Sequence, residues 1–171
     1  MKKSFNYQIA PITPADEPFL WEMLYQAIYL PASASPLPKA VVCSDELARY
    51  VRHWGRVHDF GLIARTDEHA IGAVWLRLLK GEQRGYGYVD GQTPELSMAL
   101  LPEYRSQGVG TELLKTILQE VQKQYNAVSL SVNDDNPAQR LYERHGFEIV
   151  NRENGSIVMK KVFDQGDRYV Q

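Results

Sequence analysis

The 171-residue sequence predicts an α/β fold built on a mixed sheet, and three observations carry that expectation. An apolar run at 94–101 ends at Pro102 and passes through a basic, glycine-containing turn. From Val109 apolar residues then return at Leu113, Leu114, Ile117, Leu118 and Val121 with helical spacing. The run Val128-Ser129-Leu130-Ser131-Val132 alternates with the period of a strand. Asn154-Gly155 stands between two further strand-like runs, a good hairpin signal. Strands with helices interposed along one chain give a mixed α/β sheet.

Taken in order, residues 7–12 are short, partly alternating and stopped by Pro11 and Pro14, so they read as a first strand running into a helix. Thr13 can cap that helix and Pro14 can occupy its first turn. Phe19, Leu20, Met23, Leu24, Ala27 and Ile28 recur at helical spacing. Trp21, Tyr25 and Tyr29 form a neighbouring stripe, either helix-packing aromatics or part of an acceptor wall. The stretch 30–38 carries three prolines and reads as an extended loop within the domain. Ser44-Asp45-Glu46 supplies a cap and an acidic first turn for a second helix through about Trp54, which Gly55 would end. Residues 60–66 and 70–79 form a hairpin around Asp67-Glu68-His69. Gly81, Gly85, Gly87 and Gly91 punctuate 80–94, which reads as a mobile loop carrying Tyr86, Tyr88 and Asp90. The loop either contacts substrate or lies in solvent. The central strand (94–101), the motif helix (108–125), a strand (127–132), a short helix (136–145) and a final strand pair (147–151 and 156–162) complete the chain.

The strand, turn and helix at 94–121 have a chemical consequence. The first N–H groups of a helix lack internal partners and face the preceding loop, where the positive end of the dipole also lies. A phosphate fits there, and Gly108 and Gly110 let the backbone approach it without a Cβ in the way. Spacing narrows the choice of anion loop. No Lys follows Gly110, as a Walker-type loop requires, and Leu113 stands where the dinucleotide fingerprint needs its third Gly. What remains, Arg105-Ser106-Gln107-Gly108-Val109-Gly110, resembles the Arg/Gln-x-x-Gly-x-Gly/Ala pyrophosphate motif of the GNAT N-acetyltransferase superfamily. Downstream, Asn136-Pro137-Ala138-Gln139-Arg140-Leu141-Tyr142-Glu143-Arg144-His145-Gly146-Phe147 resembles the Asn-x-Ala-x-x-Leu-Tyr-Glu-x-x-Gly-Phe signature of the same superfamily, in the expected order. The resemblance covers residues 93–161 in detail and the rest in general plan.

The resemblance implies a GNAT fold over residues 1–171 as a single domain: a mixed, mostly antiparallel sheet with flanking helices and two neighbouring parallel strands that splay apart, the cofactor wedged between their ends. It implies acetyl-CoA as cosubstrate. The pyrophosphate would be held by backbone N–H groups of Gln107, Gly108, Val109, Gly110 and Thr111, with Arg105 adding positive charge. The pantetheine arm would pair like an extra strand with Met98, Ala99 and Leu100, one of whose N–H groups polarises the thioester carbonyl. Tyr142 matches the family tyrosine that hydrogen-bonds the CoA sulfur; the alternative is a core tyrosine. Asn136 either reaches the pantetheine amides or caps the helix beginning at Pro137.

An acceptor amine adds a further requirement. A primary amine with a pKa near 10 is only about one part in a thousand neutral at pH 7, so a base or a proton route is needed. Glu95, at the start of the motif strand, is the candidate, the alternative being a solvent-facing strand residue. Asp90, acting through water, is the reserve. Direct attack in a ternary complex is favoured because no cysteine falls in the motif regions. The alternative is a non-catalytic CoA-binding regulatory or assembly module of the same fold.

Composition sets the remaining bounds. Hydrophobic residues make up 44% of the chain, ample for the core of one domain. Net charge is −2, with 19 basic and 21 acidic side chains, so no global positive field would recruit nucleic acid or an anionic membrane. One cysteine, Cys43, excludes an internal disulfide and fits a reducing compartment. The basic start at Lys2-Lys3 lacks an apolar segment behind it, and the expectation is a cytoplasmic protein. His53, His58, His69 and His145 show no metal-ligand spacing, so no metal is expected. The acceptor is a small-molecule or peptide amine whose identity no motif specifies. Trp21, Tyr25, Tyr29, Trp54, Tyr86 and Tyr88 suggest an apolar or cation–π acceptor site, and a homodimer is compatible with the family.

Overall fold

The structure, a computed structural model, describes residues 5–164. Seven strands form one sheet: β1 (Gln8–Pro11), β2 (Phe60–Arg65), β3 (Ala70–Arg77), β4 (Glu95–Leu100), β5 (Ala127–Asn133), β6 (Glu148–Glu153) and β7 (Ser156–Val162), in the spatial order β1-β2-β3-β4-β5-β7-β6. Every neighbouring pair is antiparallel except β4 and β5, which run parallel. The expected hairpins at Asp67-Glu68-His69 and Asn154-Gly155 join β2 to β3 and β6 to β7.

Two apolar layers cover the sheet. On one face lies α3 (Val109–Val121), whose helix-spaced residues Val109, Leu113, Leu114, Ile117, Leu118 and Val121 are all buried against Leu62, Val74, Leu76, Leu96 and Leu130. The short α4 (Ala138–Arg144) adds Tyr142 to the same core. On the other face α1 (Glu17–Ala27) buries Leu20, Met23 and Leu24 with Ala73, Trp75 and Ala99. Alternation along β4 sends Leu96 to the first core and Ala99 to the second, so this central strand is covered on both sides.

Two expected elements differ from their sequence reading. Thr13 and Pro14 open a single 3-10 turn (Pro14–Asp16) rather than α1 itself, with the Asp16 carboxylate accepting the Thr13 N–H at 2.8 Å. The second helix, expected through Trp54, is one turn long: α2 spans Asp45–Ala48. Its continuation is replaced by turns because side chains from β3 claim the carbonyls. Arg77 donates to the Arg49, Arg52 and His53 oxygens at 2.9, 2.8 and 3.4 Å, and Trp75 Nε1 donates to the Tyr50 oxygen at 3.1 Å. Arg77 is itself buried in a two-point pair with Asp59, at 2.9 and 2.7 Å. The segment 45–55 is therefore clamped to the sheet by β3 rather than held by its own helical ladder.

Candidate active site

β4 and β5 share register at one position, Glu95 opposite Ser129, where the Ser129 N–H donates to the Pro94 carbonyl at 3.1 Å. Beyond that point the strands part, and a cleft of about 820 Å³ opens between them. The free edge can be read from the pairing with β3. The Leu101 N–H donates to the Ile71 oxygen at 2.9 Å, and peptide direction alternates along an antiparallel strand. The Ala99 backbone therefore pairs with β3, while the Met98 and Leu100 backbone groups face the gap. All three residues line the cleft, but only two of them offer it main-chain donors.

The mouth of the cleft is the start of α3. Ser106 and Gly108 both adopt left-handed conformations, with φ of 59° and 91°. These two residues turn the chain from the 3-10 segment Pro102–Tyr104 into the helix. The bond from the Glu112 N–H to the Gly108 oxygen, at 3.1 Å, starts the helical ladder. The amides of Val109, Gly110 and Thr111 precede it and are available to an anion. Gly108, Gly110 and Thr111 line the cleft, and a Cβ at Gly108 would meet nothing within 4 Å, so the approach is open. The Val109 side chain is buried in the core, leaving only its backbone for this loop. The Gln107 side chain folds back, its Nε2 donating to the Glu103 oxygen at 2.8 Å. Arg105 lines the cleft with its guanidinium tethered, Nε to the Leu100 oxygen at 3.2 Å and an Nη to Gln26 Oε1 at 2.9 Å.

Glu95 sits where the strands diverge, 4% exposed. Its Oε1 accepts the Tyr50 hydroxyl and the Gly87 N–H, each at 2.7 Å. Burial raises its pKa above the usual carboxylate range, opposed by the Tyr50 hydroxyl and by the Gly87 and Gly85 amides, which favour the charged form. Oε2 meets no partner in full hydrogen-bond geometry. The solvent-facing alternative for Glu95 is therefore excluded.

Loop 80–94, expected to be mobile, is strapped down over this carboxylate. Tyr50 Oη accepts the Tyr86 N–H at 2.7 Å, and Ser129 Oγ donates to the Gly87 oxygen at 2.7 Å. The glycines read from the sequence as loop punctuation have a packing reason: a Cβ on Gly85 would lie 2.2 Å from Glu95 Oε2, and one on Gly87 2.8 Å from Glu95 Oε1. Tyr50 itself escaped the sequence reading. It lies in a stretch read as a continuing helix, 45 residues from its partner, and nothing local marks it.

Tyr142 lines the cleft from α4, its ring edge-on to Phe147 at 5.7 Å. Burial pushes its phenol up to about 12, so it stays protonated across the neutral range. Asn136 lines the cleft too, and its Oδ1 accepts the Ala138 N–H at 2.9 Å, the capping alternative. The reserve base Asp90 is misplaced: it lines a separate depression with Lys80, Gln124 and Lys160, and its Oδ1 accepts the Gln92 N–H at 2.9 Å. Of the aromatic residues assigned to an acceptor site, Tyr29 and Tyr86 line the cleft. Trp54 is buried beneath Arg77, Tyr25 donates to the Leu37 oxygen, Trp21 donates to Glu17 and Tyr88 lies under Arg84. Among the described residues there is no cluster of metal-ligating side chains and no helix long and apolar enough to cross a membrane.

The chain is similar to several known proteins. Mycothiol acetyltransferase of Brachybacterium faecium is 32% identical over 120 residues, which are 69% of this chain and 34% of that protein. The chain thus spans about a third of the length of that relative. The PaiA N-acetyltransferase of Thermoplasma acidophilum, solved in complex with coenzyme A, superposes with a TM-score of 0.66 at 20% identity over 93% of this chain and 100% of its own. The ribosomal-protein-S18-alanine N-acetyltransferase of Escherichia coli gives 0.64 at 17% identity over 97% and 99%. These two share the fold. The model of the acetyltransferase (GNAT) family matches residues 21–147, from α1 through the cleft to Phe147, and the chain belongs to that family.

Proposed function

We propose that residues 1–171 form one N-acetyltransferase domain that moves an acetyl group from acetyl-CoA to a primary amine by direct attack in a ternary complex. The observation that carries this is the lone β4–β5 register at Glu95 and Ser129, which leaves a cleft lined by a buried carboxylate, a phenol and the open end of α3.

The cleft suits a long anionic cosubstrate. The open approach at Gly108 and the amides of Val109, Gly110 and Thr111 would hold the pyrophosphate, with the Gln107 and Gly108 amides in the same loop and Arg105 adding charge. The Met98 and Leu100 main chain would pair with the pantetheine amides, beside Asn136. Bound there, acetyl-CoA supplies an electrophilic thioester carbonyl and a thiol leaving group.

The chain's own groups divide the work. Glu95 takes the ammonium proton, aided by a pKa already raised by burial. The Met98 N–H donates where negative charge develops on the carbonyl oxygen, an interaction commonly worth a few kcal/mol. As the C–N bond forms and the C–S bond breaks, the Tyr142 hydroxyl donates a hydrogen bond to the departing sulfur, and the second proton shed by the attacking nitrogen passes through solvent to the thiolate, giving the free thiol. A phenol with a pKa of about 12 stabilises that charge without giving up its proton to a thiolate. Tyr50 touches no reacting atom and is a positioning residue for Glu95.

Calorimetric titration with acetyl-CoA tests the binding half. Affinity of about micromolar, lost in a Gly108→Glu, Gly110→Glu double variant that still melts cooperatively, though at a lower temperature because Gly108 sits at φ 91°, is the expected result; no binding to the wild type would overturn the proposal. Free-thiol release with added amines tests turnover, and binding without release by any amine would turn the reading to the non-catalytic CoA-binding module.

A further inference from the structure

The cleft as a whole has an uneven chemistry. Among the described residues Glu95 is the only acidic side chain lining the cleft, and the other charged lining residues, Arg105 and Arg144, are cationic. The same cleft is lined by apolar side chains, Leu24 and Ile28 from α1 and its end, Leu47 from α2, and Leu30, with the Tyr86 ring. Leu30 and Tyr86 line this cleft and are 36% and 56% exposed, leaving apolar surface for a bound group to cover. The Glu46 carboxylate accepts the Tyr86 hydroxyl at 3.3 Å and lies outside the lining. Behind Glu95 the strap at Gly85 and Gly87 leaves no room even for a methyl group.

From this we infer that the acceptor is a small primary monoamine carrying an apolar or aromatic group. The inference rests on the acetyl-transfer reading of the site. One buried carboxylate balances one ammonium, and that carboxylate is also the group proposed to receive its proton. A second ammonium would find no second carboxylate in the lining, where the other charges are the two arginines, and burying it unpaired is costly. An apolar substituent instead covers Leu30 and Tyr86 and removes their surface from water. Polyamines and polycationic sugars are thereby disfavoured by the same residues that select an arylalkylamine.

The test measures equilibrium binding, independently of turnover. The CoA-saturated protein is titrated by calorimetry with 2-phenylethylamine, n-propylamine and spermidine. Covering one aromatic ring predicts that 2-phenylethylamine binds about ten-fold or more tightly than n-propylamine, and it should exceed spermidine as well. Leu30→Ala and Tyr86→Ala should each weaken 2-phenylethylamine by a larger factor than n-propylamine. Both side chains are exposed, so thermal melts serve as the folding control. Spermidine binding as tightly as 2-phenylethylamine, equal affinity for the two monoamines, or variants that weaken both monoamines equally would each overturn the inference. Thiol release measured in parallel separates it from the underlying reading. Tight 2-phenylethylamine binding with no release upholds the pocket chemistry and sinks acetyl transfer, whereas release fastest with spermidine upholds transfer and sinks the pocket chemistry.

Discussion

The Tyr50 hydroxyl donates to Glu95 Oε1 at 2.7 Å while accepting the Tyr86 N–H at 2.7 Å, so one side chain ties the segment after α2 and the 80–94 strap to the carboxylate. That hydrogen bond favours the ionised form of Glu95 and works against burial, which favours the neutral form.

Removing this donor lets burial act with less opposition. In Tyr50→Phe the pKa of Glu95 rises further, and the acid limb of the kcat/KM profile moves to higher pH. A hydrogen bond to a charged group contributes about 1.5–3 kcal/mol, so the rate at neutral pH should fall on the order of ten-fold or more. A profile that drops uniformly without moving would show that Tyr50 acts on something other than Glu95.

Glu95 also links stability to pH. Its folded-state pKa lies above the unfolded value, so its contribution is fully present below the ordinary carboxylate range and is lost as pH rises through the raised value. Glu95→Gln removes that loss. The variant should melt above the wild type at pH 8 and converge with it towards pH 4, while amine-dependent thiol release falls by about 10²-fold or more. Thermal melts across that range check the first part, and parallel curves at all pH values would contradict it.

The strap glycines should be intolerant of a methyl group. At Gly87 the nearest atoms to a Cβ include the Leu130 carbonyl carbon at 2.7 Å and the Ser131 nitrogen at 2.9 Å, and this main chain cannot step aside. Overpacking of this kind costs about 1–3 kcal/mol, and for a chain of this size each kcal/mol lowers the melting temperature by about 2–4 °C. Gly110→Ala is the contrast, since its Cβ would meet Leu100 Cδ1 at 3.5 Å, an ordinary contact. Calorimetric melts of the two variants should differ, with Gly87→Ala the lower.

Tyr142→Phe should lower kcat on the order of 10²-fold while changing melting temperature little, because the ring and its contact with Phe147 remain. With its phenol pushed up to about 12, Tyr142 contributes no basic limb to the wild-type profile below about pH 11. Stopped assays up to pH 10 check this, and a basic limb that disappears in the variant would count against it.

Arg77→Met tests the clamp on segment 45–55. It leaves the buried Asp59 carboxylate unpaired and three carbonyls without their donor. Breaking a buried pair from one side costs about 3–5 kcal/mol, readable from denaturant midpoints. An Arg77→Met, Asp59→Leu double variant should recover only part of that, because the carbonyls of Arg49 and His53 stay without the Arg77 donor, while that of Arg52 keeps the Arg56 guanidinium at 3.2 Å.

Much of this protein was decided locally and was therefore legible in the sequence. The apolar spacing of Val109 to Val121 makes α3 amphipathic whatever surrounds it, and Gly108 at φ 91° is a requirement of the turn itself. The Asn154-Gly155 hairpin is of the same kind, whereas Glu95 and Tyr142 are nominated by the resemblance to the family. The tertiary structure decided what depends on distant partners. Arg77 and Trp75 take the carbonyls that a longer α2 would have used, and Asp90 falls into a depression away from the cleft. Tyr50 meets Glu95 only because the sheet brings residues 45 apart into contact. Hydrophobic period and turn chemistry act over a few residues, whereas the ionisation of a buried carboxylate is set by whatever the fold places around it.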